Sequence, residues 1–188
     1  TDPTGLSPLP TRNPAGEAGL AGSWWYDAST NVTLTAQLVS GYTFVKWDVD
    51  SVYRGSGVNP ISVIMDAVHT ATAHYITRYL VVFDQSGLDG TATGIVVTIN
   101  GVGKSYSQLP NSTWFDSETQ ITYFYSNVSS SVSGKRFILT SVTGPASPFF
   151  VTSNVTIIGN YKTQYLVSFT QLGSAVSPTV TYTADTDP

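Results

Sequence analysis

The chain of 188 residues contains no cysteine, which removes disulfides, thiolate nucleophiles and cysteine-ligated metals from consideration. Histidine is almost as scarce, with only His69 and His74. Five residues apart on an extended segment, they point to opposite faces, and no HExxH-type set accompanies them, so no metal site is expected. Charged residues make up 11% of the chain, against roughly a quarter in an ordinary globular protein. The net charge is -4 and Lys and Arg form no cluster, so the counterion release that drives nucleic-acid binding is missing. No apolar run approaches the ~20 residues of a membrane helix, and the opening "TDPTGLSPLP" has none of the layout of a signal peptide. There is no G-x-S-x-G, no phosphate loop and no carboxylate pair visible from spacing, so catalytic residues and cofactors are not expected. The chain is read as a non-enzyme.

What is present is hydroxyl and alternation. A surface rich in Ser, Thr and Tyr and poor in charge suits surroundings where acid or salt suppresses carboxylate charge, which points outside the cell. Period-two patterning dominates: "NVTLTAQL" puts Val32, Leu34 and Ala36 on one face and Asn31, Thr33 and Thr35 on the other. The same pattern recurs in 61-66, 70-76, 78-84, 94-100, 119-125, 136-142, 153-161, 164-170 and 178-184, with Gly-, Pro- and Asn-rich turns between. No dozen-residue window has helical spacing. The expected class is all-β, with short strands at sandwich-like intervals.

The chain also repeats itself. "YITRYLVVF" at 75-83 matches "YKTQYLVSF" at 161-169 with an offset of 86, and "SWWYDAST" at 23-30 matches "STWFDSET" at 112-119 with an offset of 89. Each of the second pair is expected to form a Trp-aromatic-Asp turn before a strand. These landmarks divide the chain into a first β unit over 1-77, a complete central unit over 78-163 and a tail over 164-188. The first unit has its closing strand but no "YLV-F" strand ahead of it, and the tail carries that strand. Two β-sandwiches in line are therefore expected, the first lacking an opening strand.

The stretch "WWYDASTNVTLTAQLVSGYTFVKWDVD", with the close "MDAVHTATAHY" from Met65 to Tyr75, resembles the internalin-type B-repeat of bacterial and archaeal surface proteins. The central unit is similar to it more loosely, through "WFD", "TQITY" and "GNYKTQY", in the manner of archaeal surface proteins with tandem immunoglobulin-like units. The resemblance implies an extracellular, structural or adhesive protein without catalytic residues. Three functions follow from these readings. A filament or pilus-like subunit would polymerise with copies of itself, head to tail, by donating its tail strand. A spacer repeat of a longer surface-layer or adhesin chain would be monomeric. A carbohydrate-binding module would hold glycans on exposed aromatics. In the first case Tyr165, Val167 and Phe169, with Val180 and Tyr182 further on, are the apolar anchors of the donated tail.

Smaller candidates accompany these. Asp48 with Asp50, and Asp84 with Asp89, carry carboxylates near turns and invite comparison with calcium loops, though an Asp that caps its own turn is the commoner case. His69 is expected to bond a turn backbone and His74 to face solvent. Trp25, Trp47 and Trp114 fall at repeat landmarks, where core packing is the expected job. Four Asn-x-Ser/Thr sequons, at Asn31, Asn111, Asn127 and Asn154, are candidate glycosylation sites.

Overall fold

The computed structural model describes residues 3-170 and Gly173. Among them the strands are β1 (Thr11–Asn13), β2 (Glu17–Ala18), β3 (Trp24–Trp25), β4 (Asn31–Thr35), β5 (Tyr42–Val49), β6 (Val52–Ser56), β7 (Ile61–Ile64) and β8 (Ala71–Ser86). They continue as β9 (Ala92–Thr93), β10 (Ile95–Ile99), β11 (Val102–Ser105), β12 (Asn111–Asp116), β13 (Gln120–Ile121), β14 (Tyr123–Tyr125), β15 (Val128–Ser130), β16 (Lys135–Thr143), β17 (Phe149–Phe150) and β18 (Val155–Tyr165). Apart from one 3-10 turn at Tyr106–Gln108, the described fold is all-β and spread over several sheets, as the alternation predicts.

Two hydrophobic clusters form. The first joins residues of separate sheets: Trp47 and Val49 of β5, Ile61 and Val63 of β7, and Ala73 and Tyr75 of β8. The second gathers Val81 and Phe83 of β8, Val96, Val97 and Ile99 of β10, Tyr125 of β14, Phe137 of β16 and Ile157 and Tyr161 of β18. One strand thus serves both. β8 runs unbroken for 16 residues, and its odd-numbered side chains enter the first cluster at 73 and 75 and the second at 81 and 83. The segment Thr77 to Tyr79, where the sequence suggests a break between units, lies inside this strand.

The internal repeat is carried by backbone geometry as well as by sequence. Ser29 and Glu118, 89 apart, both have positive φ (66° and 64°). The Ser29 N–H donates to the Met65 carbonyl, and the Glu118 N–H to that of Val151. Asn31 of β4 pairs with Ile64 of β7, and Gln120 of β13 pairs with Phe150 of β17. Antiparallel pairing of β5 with β8, which sets Phe44 beside Tyr75, is matched by that of β16 with β18, which sets Leu139 beside Tyr161. β1 beside β4 occupies the place of β10 beside β14, and the turns that follow, "TRNPAG" and "TINGVG", align.

Several local expectations change. Trp47 is buried, but Trp25 is 72% and Trp114 45% exposed, so two of the three landmark tryptophans do not pack a core. Trp114 lies in a strand that ends at Asp116, because Phe115 takes the inward position and Trp114 the outward one. In the expected strand 164-170, ladder pairing stops at Tyr165, opposite Lys135.

Candidate functional site

In the second half of the fold, β18 is flanked on both edges. β16 runs antiparallel on one side, and the C-terminal half of β8 runs parallel on the other, with Val155 opposite Val81 and Ile157 opposite Phe83. The same half of β8 meets β12 on its far edge, with Trp114 opposite Leu80 and Thr113 opposite Val81. β8 therefore lies between β18 and β12 there.

The counterparts in the first half are the N-terminal half of β8 and the strand β3. Arg78 donates its N–H to the Gly41 carbonyl and Asp50 donates to the Thr70 carbonyl, so even-numbered residues of this segment turn their backbone groups toward β5. Ala71, Ala73 and Tyr75 turn theirs the other way. Among the described residues no strand pairs with that edge from Ala71 to Ile76, and β3 pairs only with β2. The position that β8 fills between β18 and β12 has no described occupant on this edge; β3, which corresponds to β12 through the repeat offset, is not paired to it, and its Trp25 is exposed.

The second surface is the apolar arm beyond β18. The Leu166 N–H donates to the Gly134 carbonyl at 2.7 Å. Past it the side chains stand in solvent: Tyr165, Leu166, Val167 and Phe169 are each about two-thirds exposed or more. Val81 and Phe83, their counterparts in the "YLV-F" repeat of β8, are buried at 0% and 1%. The match extends to Gly173, whose φ of 92° equals the 91° of Gly87 within a degree. Val180 and Tyr182 lie outside the described residues. Spacing in the sequence pointed to the arm. The Gly87 and Gly173 pair and the "TRNPAG" turn were equally available to it as repeat signals and were missed.

A polar cluster spans the paired strands β5 and β8 and the turns beside them. Lys46 bonds Asp48 at 2.9 Å and His74 Nε2 lies 2.9 Å from the same carboxylate. His69 is bonded on both ring nitrogens, to Asp50 at 2.7 Å through Nδ1 and to Asp66 at 2.9 Å through Nε2, while the Thr70 N–H donates to Asp50. This corrects the expectation for both histidines, since each meets carboxylate instead of turn backbone or water alone. The bond from Asp50, then that from Asp66, raises the His69 pKa above the ordinary imidazole value. Reciprocally, His69 and the Thr70 N–H hold Asp50 below the usual carboxylate range, and Lys46 does so for Asp48. Because Asp50 and Asp66 take opposite sides of one ring, their oxygens do not converge. Among the described residues no group of three or more His, Asp or Glu is arranged to hold a metal ion.

The other acidic pair also does structural work. Asp84 accepts from the Gln85 N–H, and Asp89 accepts from the Thr91 N–H and from Lys135 Nζ at 2.5 Å. Lys135 and Thr91 together lower the Asp89 pKa to about 2. Of the sequons, Asn31, Asn127 and Asn154 are exposed and Asn111 is half-buried at the start of β12. The side-chain oxygens of Asn127 and Asn154 accept from the Leu139 and Leu80 N–H groups, leaving each amide nitrogen as the group a glycan would modify.

No family model matches the chain, and neither does any curated protein or solved structure. Among the described residues no acid, base and nucleophile converge on one point. Among those residues the fold offers an unpaired edge along β8 and an exposed apolar segment beyond β18.

Proposed function

We propose that the chain is the structural subunit of an extracellular filament built from tandem immunoglobulin-like β units, assembled head to tail by β-strand donation. The observation that carries this reading is the complementarity of two surfaces within one sequence. The arm from Tyr165 to Phe169 repeats the strand that fills the second core, and the first half presents the edge against which that strand lies in the second. Left open, such an edge with apolar side chains nearby is an aggregation hazard, and an added strand satisfies its backbone while burying its own anchors. Arm and edge are different surfaces of one chain, so a contact between copies is heterologous and, where its rotation does not close a ring, propagates as a filament. Sequons on three exposed asparagines and the charge-poor surface suit an extracellular location, and Asn31, Asn127 and Asn154, with the half-buried Asn111, are the proposed glycan sites.

Electron microscopy of the native material, paired with deletion of residues 165-188, tests the proposal. Rods of one repeating subunit that vanish on deletion are expected. Ordered fibres from the shortened chain would refute donation. A second reading, a spacer repeat within a longer covalent chain, is favoured by the same complementarity if the arm fills the following unit of its own polypeptide. The intact mass of the native polypeptide separates the two, and excess mass in hexose steps reports glycosylation.

A further inference from the structure

Resting on the strand-donation reading, we infer the lane and register of the donated strand. Gln164 to Thr170 of one copy enters the first half of the next between β8 and β3, parallel to β8, with Val167 opposite His69 and Phe169 opposite Ala71. The inference comes from transferring the pairings of the second half through the two repeat offsets. Val81 opposite Val155 becomes Val167 opposite His69, and Phe83 opposite Ile157 becomes Phe169 opposite Ala71. On the far edge, Trp114 opposite Leu80 becomes Trp25 opposite Leu166.

Three independent features fit this lane. Backbone polarity is the first. In a parallel pair a residue bonds the two neighbours of the one opposite it, so Ala71, which turns its groups to the open edge, meets Ser168 and Thr170. The second is the pair of exposed apolar groups, Trp25 at 72% and Leu166 at 76%, which become cross-strand neighbours and cover each other. The third is Gly173. A Cβ on Gly87 would collide with the Tyr161 carbonyl, which lies against it where β8 turns away from β18. Tyr161 corresponds to Tyr75, so Gly173 of the donor arrives at the Tyr75 carbonyl of the acceptor, where only glycine fits. In the free molecule a Cβ on Gly173 meets nothing within 4 Å, so there its positive φ alone favours glycine and the donated position adds a steric reason.

Paired cysteine variants test this, because the chain has no cysteine of its own. Ser168 and Thr70 correspond to Val82 and Thr156, which face each other on the side of the sheet away from the core. Fibres of Ser168→Cys/Thr70→Cys, mildly oxidised, should give a reducible ladder of multimers on a denaturing gel. The pair Ser168→Cys/Thr72→Cys, two residues out of register on the same face, should give at least about tenfold less. If fibres form but the second pair crosslinks better, the register is overturned while donation stands. If oxidation yields only internally crosslinked monomer, the arm folds back on its own first half and the intermolecular lane is wrong. If the native chain forms no fibres, the underlying reading falls with it. Gly173→Asn, which adds a Cβ while tolerating positive φ, guards against cysteine variants that misfold. It should leave monomer melting unchanged and raise the critical concentration for assembly at least about tenfold, and an unchanged critical concentration would overturn the placement of Gly173.

Discussion

Truncating Phe169 to alanine separates a donated side chain from a core one. Its counterpart Phe83 is 1% exposed and packs edge-on to Tyr123 with ring centroids 5.4 Å apart, whereas Phe169 is 67% exposed in the free molecule. Phe→Ala at a buried site costs about 3–5 kcal/mol in lost transfer energy and cavity formation. The position matching Tyr123 in the first half is Leu34, so an aromatic pairing worth ~1 kcal/mol is absent there, leaving about 2–4 kcal/mol. At ~1.4 kcal/mol per tenfold, Phe169→Ala should raise the critical concentration for assembly about 30- to 700-fold. Pelleting across a concentration series reads this directly. Thermal melting of dilute monomer supplies the control. Phe83→Ala should lower the melting temperature by about 6–20 °C, taking ~2–4 °C per kcal/mol for a chain of this size. Phe169→Ala should move it by less than about 2 °C, as expected of an exposed substitution. Two results would refute the reasoning: a fall in monomer melting as large as that of Phe83→Ala, or assembly that is indifferent to Phe169.

The other predictions concern charge. Asp89, held at about 2, lends stability that is complete above the ordinary carboxylate value of 3.8 and drains away as pH falls through about 2, so Asp89→Asn should flatten the melting-temperature profile across that acid range. His69 is raised, so its contribution is complete below about 6.5 and is lost as pH rises through its folded value; proton NMR should find its pKa above 6.5, falling in Asp50→Asn, and a value at or under 6.5 would contradict the bonded geometry. At the joint inside the molecule Asp116 accepts from Thr43 Oγ1 at 2.8 Å and sits 3.5 Å from Arg78 Nε. Through the repeat offsets its counterpart Asp27 faces Gln164 of the donor, which takes the place of Arg78 and carries Arg136 bonded to it at 2.9 Å, so Arg136→Glu should weaken assembly by a few-fold and Asp27→Lys should restore it, matching the ~0–1 kcal/mol of an exposed ion pair.

Much of the fold was legible because period-two alternation and turn residues are local properties. The strand at 31-35 and the closing strand that ends near Tyr161 follow from them directly. The continuity of β8 was legible in part. Residues 73, 75, 81 and 83 keep one parity through "HYITRYLVVF", but Thr77 and Arg78 interrupt the apolar run and read as a boundary. The exposure of Trp114 was not legible, because parity along a strand says which residues share a face, and only the partner sheet decides which face is covered. Here Phe115 took the core. The bonding of His69 and His74 was hidden for a related reason. Asp50 lies 19 residues before His69, on the far side of the β5 and β8 pairing, and no local spacing records that juxtaposition. The unpaired edge is a property of sheet order and could be inferred from the sequence only through the repeat.

β8 closes one core with Ala73 and Tyr75 and opens the next with Val81 and Phe83, so no loop intervenes between the two. The Ser117 N–H on the Thr77 carbonyl, together with the Asp116 contacts to Thr43 and Arg78, braces that joint from the side. On the inferred register the same construction recurs between molecules, with β18 and the arm forming one run that leaves a second core and enters the first core of the next copy. No glycine or proline lies between Tyr161 and Gln171, so the backbone supplies no ready turn by which the arm could double back before its anchors are placed. That favours a neighbour over self-insertion. It also sets the mechanics: tension travels along the strand while ladder hydrogen bonds run across it, so a pull loads the rungs together in shear instead of peeling them one at a time. On that register joints within and between subunits are built alike, and a fibre so assembled should approach a helix of half-subunits. Its diffraction should then show a strong layer line at half the subunit rise, and a pattern dominated by the full rise would mean that the two joints differ.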